Sequence, residues 1–477
     1  NALALDNGTI RDLAGNNASI THSAVDNNSS YKVDTTPPMV DNFTLSDTAL
    51  KAGDNATVTL VFSEVVASFS SADDITVDNG TLATMTSSDN KTWEGIFTPT
   101  ANTEDDNNTL SLATSYTDLA GNAGPAATTA NYAIDTLLPT ISSVTAGWGT
   151  SLNATEDNSA GTVTVVTSGA ENGQTVTVAL NGTNYTGTVS DNSTAVTVAA
   201  SGLQALTDGS SYTLTTNVSD AAGNAATVNT GTSFTYDRTP PTISGGVAIT
   251  AAGIQNNFLN VPDMVSATAT FSEVVNKTGT PQLTLAVGSD NRTATYASGT
   301  GNAPLVFTYT IQAGDNDTNG ISIGADAFAL DNGSISDVAG NNAILTHIAV
   351  SDNNSYKVDT TPPSVDNFTL SDTELKAGDN ATVTLGFSEP VFGFASDDDI
   401  TADNGSLPAM ASNDNTTWFG TFTPRTNTEE DNNTLSLATS YTDLAGNNGP
   451  DNQTANYAID TLLPTISSVT AGWGTYL

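Results

Sequence analysis

Three sets of oxygen-bearing side chains recur along this chain in a fixed order. The first is an aspartate that heads a proline-rich joint: Asp34, Asp237 and Asp359 before Thr/Arg-Thr-Pro-Pro, and Asp135 and Asp460 before Thr-Leu-Leu-Pro. The second is a turn, Asp-x-Ala-Gly-Asn, at 12–16, 118–122, 220–224, 337–341 and 443–447. The third is a glutamate that follows Phe-Ser: Glu64, Glu273 and Glu389. Carboxylates and amide oxygens are donors for a hard cation. Calcium takes six to eight of them in irregular shells, backbone carbonyls included, and binds extracellular modules at about 10⁻⁴–10⁻³ M, whereas magnesium holds on to its waters. With 2 histidines and no cysteine, neither a thiol nor a Ser-His-Asp arrangement is signalled, so an enzyme is not expected. Paired carboxylates alone do not make a glycosidase without a shaped cleft.

The elements that must position these groups follow from the joints. Each joint comes after a short alternating run, Tyr31/Val33, Tyr132/Ile134, Phe234/Tyr236, Tyr356/Val358 or Tyr457/Ile459. Proline removes a backbone donor and fixes φ, so a paired strand ends there and a stiff connection begins. The runs around Ala56/Val58/Leu60/Phe62, Val176/Val178/Leu180 and Leu305/Phe307/Tyr309/Ile311 alternate as half-buried strands do. Asn181-Gly182 marks a two-residue hairpin turn. No stretch keeps a helical period. Short strands separated by Asn, Asp and Gly turns, in modules of about 100 residues, predict tandem β-sandwiches.

The boundaries expected are 1–36 (the back part of a module), 37–136, 137–238, 239–361 (the longest), 362–461 and 462–477 (the start of another). Asp34 and Asp359 are 359 − 34 = 325 residues apart, and Asp12/Asp337, His22/His347, Trp93/Trp418 and Trp148/Trp473 keep that offset. The stretch 136–150 returns unchanged at 461–475, so a super-repeat of three modules is expected. Such repetition suits a long stalk, and the chain reads as a window on something longer.

Several segments then resemble a known family. Phe62-Ser63-Glu64-Val65-Val66, SADDITVDNG at 71–80 and the 118–122 turn, with Phe387-Ser388-Glu389-Pro390-Val391 later, resemble the bacterial immunoglobulin-like domain found in tandem in giant surface proteins and adhesins. The 239–361 module, with GTPQLTL at 279–285 and ATYASG at 294–299, resembles a repeat named from swimming-associated cyanobacterial surface proteins. The resemblance implies all-β immunoglobulin-like sandwiches in an extended rod and a cell-surface or extracellular location. In that fold the last strand of one domain ends facing the loops at the top of the next. This groups Asp34, Glu64, Asp118 and Asn122; Asp237, Glu273, Asp337 and Asn341; and Asp359, Glu389, Asp443 and Asn447. The joint with Asp135, Asp220 and Asn224 lacks a matching glutamate, so a weaker or differently built site is expected there. The competing reading is that the turn aspartates only hydrogen-bond their own backbone.

Ten basic against fifty-one acidic residues give a net charge of −41, which argues against nucleic acid and anionic membranes as partners. No run approaches the length of a membrane span. The expected function is a calcium-stiffened stalk serving projection or adhesion. Two alternatives stand beside it: a self-assembling filament, sheath or surface layer made of copies of the chain, and modules that bind glycans or a partner surface. The frequent Asn-x-Ser/Thr sequons admit glycosylation, and Trp93 and Trp418 are read as packing residues.

Overall fold

Alternation becomes strand wherever the chain holds a complete module. The 56–62 run forms the strand Ala56–Phe62, with Ala56, Val58, Leu60 and Phe62 buried and the residues between them half-exposed. The structure, a computed structural model, describes residues 3–470 and residue 472; Trp473 and the end of the 462–477 segment lie outside the described residues. The chain divides into two compact units, one of residues 1–150, 160–205 and 212–234, the other of residues 151–159, 206–211 and 235–477.

In the first unit, residues 37–136 form a sandwich. One sheet runs in the order Val40–Leu45, Ala56–Phe62, Thr92–Pro99, Gly80–Leu82. Facing it are two three-stranded sheets, Ala49–Lys51/Tyr132–Asp135/Glu104–Asn108 and Ile75–Val77/Leu110–Leu112/Ala127–Thr128. Their inner faces meet in one core that includes Phe62, Phe97, Tyr116 and Tyr132. Further along, Thr140–Ala146, Gly161–Ser168 and Ser193–Val198 make a second sheet system, and Thr175–Leu180 lies between Thr183–Thr188 and Ser210–Val218. The hairpin turns at Asn181 and Gly182, with φ +48° and +76°, the two left-handed residues of a type I′ turn.

In the second unit, residues 239–361 build a larger sheet in the order Ile243–Ala252, Met264–Thr278, Asn302–Thr310, Asp290–Ser298, Gln282–Val287, Phe328–Ala329. Residues 362–461 repeat the 37–136 sandwich strand for strand: Val365 pairs Phe387 as Val40 pairs Phe62. Helices are single turns, Ser71–Asp74, Ala200–Gln204 and Ser396–Asp399.

One expected strand is missing. Tyr31 and Val33 are 81% and 91% exposed and unpaired, whereas the matching Lys357–Asp359 is a strand with Val358 fully buried. The difference is tertiary. Lys357–Asp359 pairs Phe258–Leu259 and Asn316–Asp317, and residues 3–36 have no such strands beside them. An alternating run without a sheet has nothing to bury against.

The last strand of each complete sandwich runs parallel to a short second strand: Ile134 against Leu50, Tyr236 against Leu152, Val358 against Leu259, Ile459 against Leu375. Tyr132, 0% exposed, locks the first of these by packing edge-on against Phe97 at 5.2 Å and donating its hydroxyl to the Asp78 carbonyl at 2.6 Å. Phe97→Ala is therefore expected to destabilise the 37–136 sandwich by about 3–5 kcal/mol. Ile96→Ala, on the half-exposed face, should cost well under half of that; urea unfolding of the two variants side by side checks the contrast.

Candidate metal centre

Each functional carboxylate reaches its place by a different local device. The linker aspartate follows two strand residues whose side chains are in the core, Ile134 at 1% exposure before Asp135 and Val358 at 0% before Asp359. Its Oδ1 then accepts the N–H two residues on: Thr36 to Asp34, Leu137 to Asp135, Thr239 to Asp237 and Thr361 to Asp359, at 3.0–3.2 Å. This Asx turn fixes the aspartate at the start of the proline joint.

The Phe-Ser-Glu segment divides its work among three residues. The phenylalanine is buried, at Phe62, Phe271 and Phe387. The serine closes a reciprocal pair with the first strand: Ser63 N–H to the Met39 carbonyl and Met39 N–H to Ser63 Oγ, repeated by Ser272 with Thr242 and Ser388 with Ser364. The glutamate, next in the chain, is left at the joint.

In the Asp-x-Ala-Gly-Asn turn, Asp118 Oδ1 accepts the Ala120 and Asn122 N–H groups at 2.8 and 2.9 Å, and Oδ2 accepts from Asn122 Nδ2 at 2.8 Å. The glycine takes φ near +90°, at Gly121, Gly223, Gly340 and Gly446 alike, which a side chain would strain. The aspartates do satisfy their own turns, as the competing reading holds, and three of them also approach other carboxylates.

Three groups of carboxylates converge: Asp34, Glu64 and Asp118; Asp237, Glu273 and Asp337; Asp359, Glu389 and Asp443. In each group one ligand oxygen per residue lies within 4.8 Å of the others. The turn aspartate is buried in all three. Among the described residues none of these nine acids has a Lys or Arg ion-pair partner. Like charges at that separation repel by about 3 kcal/mol per pair at an effective dielectric near 20 and by less than ~1 kcal/mol in water.

The protonation equilibria register the strain. Burial first, and then the neighbouring Asp337 and Asp208, push Asp237 above the usual carboxylate range. Burial with Asp237, Asp337 and Asp208 does the same to Glu273. Burial and Asp443 raise Asp359, and burial with Asp359 and Asp443 raises Glu389. Asp118 goes the other way, lowered chiefly by the Asn122 side-chain hydrogen bond.

The asparagines Asn122, Asn224, Asn341 and Asn447 sit beside the linker, each donating Nδ2 to the carbonyl of the linker aspartate at 2.8–3.2 Å. At Asn224 and Asn341 the side-chain oxygen accepts a backbone N–H, from Ala52 and Ala154, and so is turned to the preceding sandwich. The fourth joint is built differently. Asp135 and Asp220 face one another with Glu104 and Glu171 close by, and burial first, then Asp220, raises Asp135. An open cleft of about 530 Å³ there is lined by Leu50, Glu104, Asp106, Asp135, Glu171 and Ala221.

Glu171 and Asp208 are the acids that the repeat pattern misses. Glu171 lies in the loop after Gly161–Ser168, just beyond the place Glu64 occupies after Ala56–Phe62, and its Oε2 accepts the Ala221 N–H at 2.8 Å. Its displacement along that loop hides it from a search for Phe-Ser-Glu. Asp208 belongs to no repeated motif.

Residues 34–134 and 359–459 each match the family model of the bacterial Ig-like domain. A search of curated proteins finds no match to this chain. Among solved structures the chain is similar to a Ca2+-stabilized adhesin that helps an Antarctic bacterium reach out and bind ice, at 20% identity over 90% of this chain and 100% of that one, TM-score 0.36. It is also similar to part of a 1.5-MDa bacterial ice-binding adhesin (22% identity, 69% and 100% covered, TM-score 0.32). A third is FdeC, an Escherichia coli adhesin (16%, 67% and 98% covered, TM-score 0.25).

The pH dependence follows from the raised groups. Without a cation, Glu273, Glu389, Asp237 and Asp359 hold protons in the folded joint up to a higher pH than in the unfolded chain. Folded joints therefore gain stability as pH falls through this raised range and lose it as pH rises. Calcium should reverse the sign by favouring the ionised forms. Carboxyl-carbon NMR titration of Glu273 and Glu389 is expected to give values above those of a free glutamate in chelator and below them in calcium.

Proposed function

We propose that this chain is a structural repeat region of a bacterial extracellular or cell-surface protein, in which calcium bound at the linkers fixes each sandwich to the next. The region would project or extend an adhesive part. The observation that carries this reading is the convergence of linker, Phe-Ser-Glu and turn carboxylates at three joints, without a basic partner among the described residues. Glu64, Glu273 and Glu389 and the turn aspartates come from one sandwich, while Asp237 and Asp359 stand at the end of the strand before it and Asp34 heads the matching linker. A cation held by both would tie linker to sandwich.

Oxygen-only donors, carboxylates on three sides and nearby carbonyls such as that of Asp237 suit calcium best. The paired asparagine would orient the turn carboxylate, and the linker aspartate would bridge. At the Asp135 joint, Glu104, Asp106 and Glu171 would make up a looser shell. The net charge of −41 suits a medium rich in divalent ions.

Calcium at one hundred times its dissociation constant should stabilise the folded state by about 2.7 kcal/mol per site. Asp337→Asn should weaken binding at its joint at least about tenfold by removing one of three charges. Isothermal titration and thermal unfolding, in calcium and in chelator, read both effects. Small-angle scattering should show a broader ensemble in chelator. Heat-neutral titration and superimposable scattering curves would remove calcium from this account.

A further inference from the structure

Metal chemistry is not all that spans the joints. Beside each last strand runs a short parallel strand with a loop next to it, here the shoulder loop: 51–54 and 153–156 follow Ala49–Lys51 and Ser151–Leu152 and so leave the sandwich at the same end as the linker, whereas 255–257 precedes Phe258–Leu259. In every case it touches the Asp-x-Ala-Gly-Asn turn of the following sandwich. Ala52 N–H donates to Asn224 Oδ1 at 2.7 Å. Ala154 N–H donates to Asn341 Oδ1 at 2.9 Å, and Asn153 Nδ2 to the Ala339 carbonyl at 3.0 Å. Asn256 Nδ2 donates to the Leu444 carbonyl at 2.9 Å.

The turn glycine lies under the same loop. A β-carbon at Gly446 would fall 2.6–2.7 Å from the Gln255 amide, and one at Gly340 would fall 3.1 Å from Asn153 Nδ2. Glycine is required at Gly446 for its φ of +92°, and the Gln255 amide of the loop rests against it. The turn is held on its other side by the asparagine amide on the linker carbonyl.

We propose that the shoulder loop and the Asp-x-Ala-Gly-Asn turn form a cation-independent latch that limits the bending of each joint when no metal is bound. The latch shares with the proposed function only the modular arrangement, and none of the bonds between shoulder loop and turn involves a carboxylate of the clusters. The turn asparagine is its positioning residue. At two joints it grips three partners at once: its own turn aspartate, the linker carbonyl and the loop N–H. In the 362–461 sandwich, Ala377, Gly378, Asp379, Asn427 and Leu463 line an open groove of about 430 Å³ at the corresponding loop.

The test uses the full chain in chelator. Since it has no cysteine, spin labels at Ser298→Cys and Thr421→Cys report on the 239–361 and 362–461 sandwiches alone. Asn256→Gly deletes the donor and still suits the positive φ of +50° at that position; Asn257→Gly, at φ +71°, is the control. Losing one such bond is expected to raise the population of bent joints about two- to tenfold. Electron–electron double resonance should show a narrow distance distribution for the parent and the control, and a broad one for Asn256→Gly. A parent distribution as broad as that of Asn256→Gly, or an Asn256→Gly distribution as narrow as the parent's, would overturn the latch. Because no cation is present, either result stands whatever calcium does.

Discussion

The parallel pairing of each last strand with a short strand near the start of its sandwich governs the joints. It buries an aromatic or aliphatic pair, Tyr132/Ile134 or Tyr457/Ile459, and so fixes where the chain leaves the domain. Proline then forbids further pairing, and the aspartate between them can stand only at the boundary. A linker aspartate placed by core packing is preorganised in a way that an aspartate on a free loop is not. At the Asp135 and Asp237 linkers the same pairing carries the shoulder loop to that boundary, so one β-pair delivers both a carboxylate and a hydrogen-bonding surface to the next domain.

The turn that receives them is local in origin. Residues 12–16 take up the Asp-x-Ala-Gly-Asn conformation, with Asp12 Oδ1 accepting Ala14 and Asn16 N–H groups and Gly15 at φ +90°, although the surrounding residues form no sandwich. Sequence alone therefore sufficed for the turn, as it did for the 56–62 strand and the Asn181-Gly182 hairpin. The three glutamates were legible too, because a buried phenylalanine and a clamping serine recur beside them. What was not legible depends on tertiary neighbours. Tyr31 and Val33 have the right alternation and no sheet. Glu171 and Asp208 arrive at their joints by loops of different length, and the shoulder loops meet the following turn as Lys-Ala-Gly and Asn-Ala after their short strands and as Gln-Asn before its own. Similar contacts made from different positions leave no pattern to find.

The joints are consequently variations on one geometry rather than copies. Those at Asp34 and Asp359 hold three carboxylates each; that at Asp237 adds Asp208, which also accepts the Arg238 N–H. Arg238 stands where the other two have threonine, and its guanidinium approaches the fully buried Asp157 at 4.0 Å. More negative charge is thus met by one of the few basic residues. At Asp135 the acids are spread around a cleft, and no three come within 4.8 Å among the described residues. In a chain of −41 net charge, the number and spacing of carboxylates set how strongly each joint opposes closure without a cation.

The turn asparagine links the two kinds of contact. A carboxylate free to rotate away from its neighbours would relieve repulsion and dismantle the cluster. Asn122, Asn341 and Asn447 prevent this by donating to Oδ2 of Asp118, Asp337 and Asp443 while also holding the linker carbonyl. The repulsion is therefore retained in the folded joint instead of being released by side-chain rotation. That is the condition under which a cation binds with little reorganisation, and it is met by hydrogen bonds that do not themselves need the cation.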